Sequence, residues 1–175
     1  HELMNAEGDF RYVTRGGFAT FDDVEPKDPH TASVVGRLDV KERHRAAAFA
    51  PGGPYATMIA KRPVIAMIGD SVFVHGGVLP KHVAYGIDTI NDEVRAWLTG
   101  RSSTTPAIVL AEDGPVWTRL YSDAAKPAAC GVLDRALSEL GAKRMVMGHT
   151  VQEHGITSAC DGKAWRIDVG MTHVF

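Results

Sequence analysis

Val64-Ile65-Ala66-Met67-Ile68-Gly69-Asp70-Ser71-Val72-Phe73-Val74-His75-Gly76-Gly77 is the stretch on which the fold turns. Two apolar runs flank Gly69-Asp70, a turn signal, so the pattern predicts two buried strands joined as a hairpin. The second strand delivers His75, followed by two glycines too small to cover its imidazole. Another run, Arg144-Met145-Val146-Met147-Gly148, ends the same way on His149-Thr150. A histidine at a strand end can present a ring nitrogen at the rim of a sheet, and neutral imidazole is the commonest metal ligand. Taken singly, either histidine is more often explained by backbone hydrogen bonds at a strand end than by metal ligation. The pairing points to a metal centre assembled from separate loops.

Helix and turn signals surround these strands. Leu3 to Glu7 reads as a helix end stopped by Gly8, and Gly16 to Thr31 as an irregular surface segment. Helix formers dominate from Val35 to Phe49. Pro51-Gly52-Gly53-Pro54 breaks the chain, with Pro54 placed to open a short helix, Tyr55 to Lys61. Val83, Ile87, Ile90, Val94 and Trp97 fall on one stripe and predict a helix over Pro80–Leu98. A loop follows at Ser102 to Pro106. Val132, Leu133, Ala136, Leu137 and Leu140 predict another helix over Cys130–Leu140, ended by Gly141. Gly155–Cys160 and Ala164–Val169 flank Asp161-Gly162 as a second hairpin. The sum is a layered α/β chain of one domain.

Composition narrows the function classes. The 175 residues are 45% hydrophobic and 23% charged, as in ordinary globular proteins. A net charge of −2 makes no electrostatic case for nucleic acid or an anionic membrane. No run approaches the roughly 18 apolar residues of a membrane span. Cys130 and Cys160 lack C-x-x-C spacing, so free thiols in a reducing compartment are expected, and the cytoplasm is favoured. There is no Gly-x-Ser-x-Gly elbow, and neither cysteine lies beside a histidine, which argues against a metal-free hydrolase. His30, His44, His82, His154 and His173 lack strand-end contexts and are expected to be solvated or to support other groups.

The order His1-Glu2, His75-Gly76-Gly77 and Gly148-His149-Thr150 resembles the calcineurin-like metallophosphoesterases, whose motifs run GDxHG, GDxxDRG, GNHE, HGG and GH. Longer blocks are similar to the bacterial-type Shewanella-like protein phosphatases. They are His1-Glu2-Leu3-Met4-Asn5 with Gly8-Asp9-Phe10-Arg11-Tyr12-Val13, and Phe49-Ala50-Pro51-Gly52-Gly53-Pro54. Asp113-Gly114-Pro115-Val116-Trp117-Thr118-Arg119 and Trp165-Arg166-Ile167-Asp168-Val169-Gly170-Met171 complete the set.

The resemblance implies roles. His1 matches the histidine of GNHE, which protonates the leaving alkoxide, and Glu2 its acidic neighbour. His75 and His149 match two ligands of the second metal. Arg119 matches an arginine that grips the substrate phosphate, a task suited to a planar guanidinium. Asp168 is expected in a turn or behind the site. Two divalent ions (Mn, Fe or Zn) are implied, with a phosphorylated protein or small phosphate ester as substrate.

GDxHG, GDxxDRG and the Gly-Asn before His1 are absent from the sequence. The resemblance therefore implies that residues 1–175 are the C-terminal portion of a single metallophosphoesterase domain. The layered sheet-and-helix fold would lack its N-terminal β-α-β units, leaving a sheet edge unpaired. All ligands of the first metal would be missing, so such a fragment is expected to be inactive. The alternative is a non-catalytic remnant or binding module on the same scaffold.

Overall fold

A computed structural model describes residues 2–25, 35–123 and 127–171. The chain divides into two compact units: residues 1–62 with 93–104, and residues 63–92 with 105–175. His1, His30 and His173 lie outside the described residues.

The first unit is helical. It contains α1 (Glu2–Ala6), α2 (Arg15–Ala19), α3 (Val40–Phe49) and α4 (Pro54–Ile59). Its aromatic cluster is Phe21, Phe49 and Tyr55, with rings edge-on or tilted at 4.9–5.6 Å. The Arg45 guanidinium sits 4.9 Å from both the Phe21 and Phe49 rings. Arg45 also donates Nε to Asn5 Oδ1 at 2.6 Å and Nη1 to the Gly17 carbonyl at 2.8 Å. One half-buried cation thereby ties α1, α2 and α3 together through hydrogen bonds and ring faces. The segment from Gly16, expected to be irregular, begins inside α2. Thr14 Oγ1 accepts from Gly17 N at 3.3 Å, and this cap together with the Phe10–Phe18 contact outweighs the low propensity of two glycines.

The second unit is built on a five-stranded mixed sheet. In chain order the strands are β1 (Ile65–Ile68), β2 (Ser71–Val74), β3 (Arg144–Met147), β4 (Thr157–Ala159) and β5 (Ala164–Arg166). Their spatial order is β1-β2-β3-β5-β4. β1 and β2 form the expected hairpin, antiparallel around Gly69-Asp70, with Gly69 at φ +60°. β2 runs parallel to β3 and β3 parallel to β5, while β4 closes back on β5. Asn91 pins the outer strand: its Oδ1 accepts from Val64 N and Ile65 N, and its Nδ2 donates to the Ile65 carbonyl.

Between β2 and β3 the described chain forms α5 (Pro80–Tyr85), α6 (Ile87–Leu98, whose residues from Glu93 on belong to the first unit), α7 (Ala107–Leu110) and α8 (Pro127–Leu140). The single helix expected over Pro80–Leu98 is two. Gly86 adopts φ +105°, and its N–H closes on the carbonyls of His82 and Val83, ending α5. Ala129, Leu133 and Leu137 of α8 pack on Val72, Val74, Met145, Met147 and Ala164 from one face of the sheet. Each large apolar side chain buried in this way contributes about 1.5–3 kcal/mol.

One expectation fails here and one is narrowed. Cys130 on α8 and Cys160 after β4 are not free thiols but a disulfide, with Cα atoms 5.2 Å apart. Tertiary packing brings them together across 30 residues, a proximity that no local spacing encodes. His82 is fully buried, which excludes the solvated alternative expected for it. His44 is half-buried, with Nδ1 2.9 Å from the Val24 carbonyl. Among the described residues no helix is long and apolar enough to cross a membrane.

Candidate metal centre

The parallel register of β2 and β3 positions the site. Val74 pairs with Met147, so both chains leave the sheet at the same level, and Gly148 N donates to the His75 carbonyl at 3.0 Å. One residue further, the two rings meet. Nε2 of His75 lies 3.0 Å from Nδ1 of His149, with centroids 4.8 Å apart and ring planes at 62°. The rim at the carboxyl ends of parallel strands is a recurrent place for ligand sites in α/β sheets.

His149 takes an unusual backbone conformation, φ +67°, which a residue with a Cβ adopts only when its surroundings hold it there. Its Nε2 is buried without a partner in hydrogen-bonding geometry. Burial, followed by the nearby charges of Arg119 and His75, pushes its pKa down to about 4. The ring is therefore neutral at physiological pH, the form that binds a metal. Trp117 stands edge-on to it, with centroids 5.9 Å apart at 88°.

The two glycines after His75 have a steric reason. Gly76 N and Gly77 N both donate to the Pro115 carbonyl, at 2.8 and 3.1 Å. A Cβ on Gly76 would come within 2.9 Å of the Thr118 carbonyl oxygen, and one on Gly77 within 3.0 Å of the Tyr121 ring. The segment from Pro115 to Tyr121 lies directly on the glycine pair, and it carries Arg119 to the histidines. Arg119 is exposed, and its Nη1 donates to the His149 carbonyl at 3.0 Å and to Thr150 Oγ1 at 2.8 Å. Ser122, almost fully buried, shares a 2.7 Å hydroxyl–hydroxyl bond with Thr150.

Three of the four residues singled out from sequence, His75, His149 and Arg119, thus converge in the second unit; His1 lies outside the described residues. Asp168 lies behind the site. Its Oδ1 accepts from Gly170 N at 3.2 Å in a turn, and its carbonyl accepts from Gln152 N at 2.8 Å. The sequence reading passed over Thr150, Ser122 and Gln152 as functional groups, because hydroxyls and amides carry no spacing signature. Trp117 was legible only as part of the Asp113–Arg119 block.

Two imidazole nitrogens on one ion, with bonds near 2.1 Å, sit roughly 2.9–3.4 Å apart at angles of about 90–109°. The observed 3.0 Å fits two ligands of a shared ion. Among the described residues no group of three His, Cys, Asp or Glu side chains is placed to hold a metal.

No family model matches the chain. It is 41% identical over 201 residues to Shewanella-like protein phosphatase 2 of Arabidopsis thaliana, covering 98% of this chain and 51% of that protein. It is 25% identical over 180 residues to Shewanella-like protein phosphatase 1 of Plasmodium berghei, covering 98% of this chain and 46% of that protein. The fold matches the solved structure of a cold-active protein tyrosine phosphatase with a TM-score of 0.69 at 20% identity, over 97% of this chain and 46% of that one. The chain spans about half the length of each of these two phosphatases. Over nearly its whole length it is homologous to Shewanella-like protein phosphatases.

Proposed function

We propose that this chain carries part of the active site of a metal-dependent phosphoesterase that hydrolyses phosphomonoesters, with phosphorylated proteins as the favoured substrate class. The observation that carries the reading is the 3.0 Å approach of His75 Nε2 to His149 Nδ1 beside Arg119, at the ends of two parallel strands. Homology to Shewanella-like protein phosphatases supports it.

In this reading His75 and His149 hold one of two divalent ions, of Mn, Fe or Zn type, with further ligands outside the described residues. When bound, such ions lower the pKa of a water and neutralise phosphoryl oxygens. The chain's own groups do the rest. His149, kept neutral by burial, offers Nδ1 without first losing a proton. Arg119 directs a guanidinium to the same rim and has donors beyond Nη1 for phosphoryl oxygens. His1 is proposed to protonate the leaving alkoxide, a step worth about 10²–10⁴-fold in rate.

Binding without catalysis is the second reading, favoured by the absence of a three-ligand group among the described residues. The test is hydrolysis of p-nitrophenyl phosphate and a phosphotyrosine peptide with Mn²⁺, with and without EDTA, alongside Co²⁺ titration. Metal-dependent turnover supports the phosphoesterase. Co²⁺ binding that needs both histidines, without turnover, supports the binding module.

A further inference from the structure

Gln152 uses every polar group it has. Its side-chain Nε2 donates to the Thr150 carbonyl at 2.9 Å and to the Ser122 carbonyl at 3.3 Å. Its Oε1 accepts from Thr157 Oγ1 on β4 at 2.8 Å. Its backbone N–H donates to the Asp168 carbonyl at 2.8 Å, and its carbonyl accepts from Gly155 N at 3.2 Å. The amide orientation follows from its partners, since two carbonyls can only accept and must face the NH₂.

These bonds reach four segments: the His149-Thr150 turn, the turn ending at Ser122, strand β4, and the chain after β5. Arg119 holds the carbonyl of His149, and Gln152 holds the next carbonyl, that of Thr150. His149, at φ +67°, lies on the amino-terminal side of both anchors, and Thr150 N closes the turn around it by donating to the Gly148 carbonyl at 2.8 Å; such a conformation persists only when neighbouring groups over-determine it.

We propose that Gln152 is a positioning residue for the metal centre. Its amide clamps the Thr150 carbonyl so that His149 stays in its left-handed conformation and its Nδ1 stays directed at His75 Nε2. The proposal rests on reading His75 and His149 as metal ligands, and it concerns a residue that touches neither the ion nor the substrate. Groups behind metal-binding histidines commonly set affinity in this way.

The test uses the full chain with Gln152→Glu, Gln152→Met and Thr157→Val. Gln152→Glu replaces the donating NH₂ by an oxygen facing two carbonyls. Gln152→Met removes all side-chain hydrogen bonding at similar length. Thr157→Val removes only the bond to Oε1. Three readouts are taken: imidazole ¹⁵N resonances of His75 and His149, Co²⁺ affinity from its visible absorption, and amide exchange of Met145 and Met147 in β3.

Both Gln152 variants are expected to lose the paired imidazole pattern and to weaken Co²⁺ binding about 10- to 100-fold. Amide protection in β3 should persist, and Thr157→Val should shift the readouts less, in the same direction. An unchanged imidazole pattern in Gln152→Glu would overturn the proposal. So would loss of the pattern only in step with loss of β3 protection, which would make Gln152 a stabiliser of the whole sheet. If the wild-type chain hydrolyses no phosphate ester while Gln152→Glu still disperses the imidazole pair, the positioning role stands and only the phosphatase reading falls.

Discussion

Nε2 of His75 and Nδ1 of His149 lie 3.0 Å apart although 74 residues separate them in sequence. Their meeting follows from the parallel pairing of β2 and β3 and the bond from Gly148 N to the His75 carbonyl. Backbone ladder and imidazole pair are continuous, so changes to either report on the same rim.

His75→Ala and His149→Ala are expected to abolish measurable Co²⁺ or Mn²⁺ binding. Changes to groups behind a ligand already cost about 10–100-fold, and removing a nitrogen donor exceeds that. Isothermal titration checks it; full affinity in either variant would refute a shared ion.

Arg119→Ala should raise the inhibition constant for inorganic phosphate by about 10–100-fold, as expected for one charge-assisted hydrogen-bonded contact of about 1.5–3 kcal/mol. Arg119→Lys should recover part of this, because an ammonium keeps the charge but not the fork. Equal inhibition in all three proteins would confine Arg119 to its bonds with His149 and Thr150.

His82 predicts an acid limb in stability. Burial, then the charge of Lys81, lowers its pKa below 6.5, while Asp113 opposes the shift. Leu79 N donates to its Nδ1 at 3.1 Å, so that nitrogen must remain unprotonated in the fold. The unfolded chain takes up the proton first. The stabilisation is complete above about pH 6.5 and is lost as pH falls toward the folded pKa. Urea midpoints between pH 7 and 5 should fall for the wild type and fall less for His82→Gln.

Gly76→Ala should destabilise the protein by about 1–3 kcal/mol, the usual cost of forcing atoms into a packed site. The added Cβ meets the carbonyl oxygens of Thr118 and Pro115 at 2.9 and 3.0 Å. Gly131→Ala, where a Cβ meets nothing within 4 Å, is the control and should be neutral or stabilising.

Reducing the Cys130–Cys160 bond, or Cys130→Ser, should cost about 2–4 kcal/mol measured by thermal unfolding. The salt bridge from Lys163 to Asp134, 2.7 Å long and half-exposed, spans the same helix and hairpin and cannot replace a covalent link.

Much of this architecture was legible from the chain. The Gly69-Asp70 hairpin and the run from Arg144 to Met147 read correctly, because alternation and turn chemistry are local. The same local signals placed His75 and His149 at strand ends. Gly86 inside an apolar stripe was outvoted by the stripe, yet its left-handed backbone splits the helix. The disulfide, the burial of His82 and the reach of Gln152 depend on which elements pack together. No window of sequence contains that information.

The crossover between β2 and β3 has a kinetic consequence. Between Val74 and Arg144 the chain contains α5 to α8, so β3 reaches β2 only across a long crossover. Closing so long a loop costs entropy before any contact offsets it, and parallel pairings of this kind form slowly. The imidazole pair therefore depends on a long-range pairing and not on any local segment. Disrupting that pairing is expected to separate the two rings, so their 3.0 Å approach reports on the β2–β3 register.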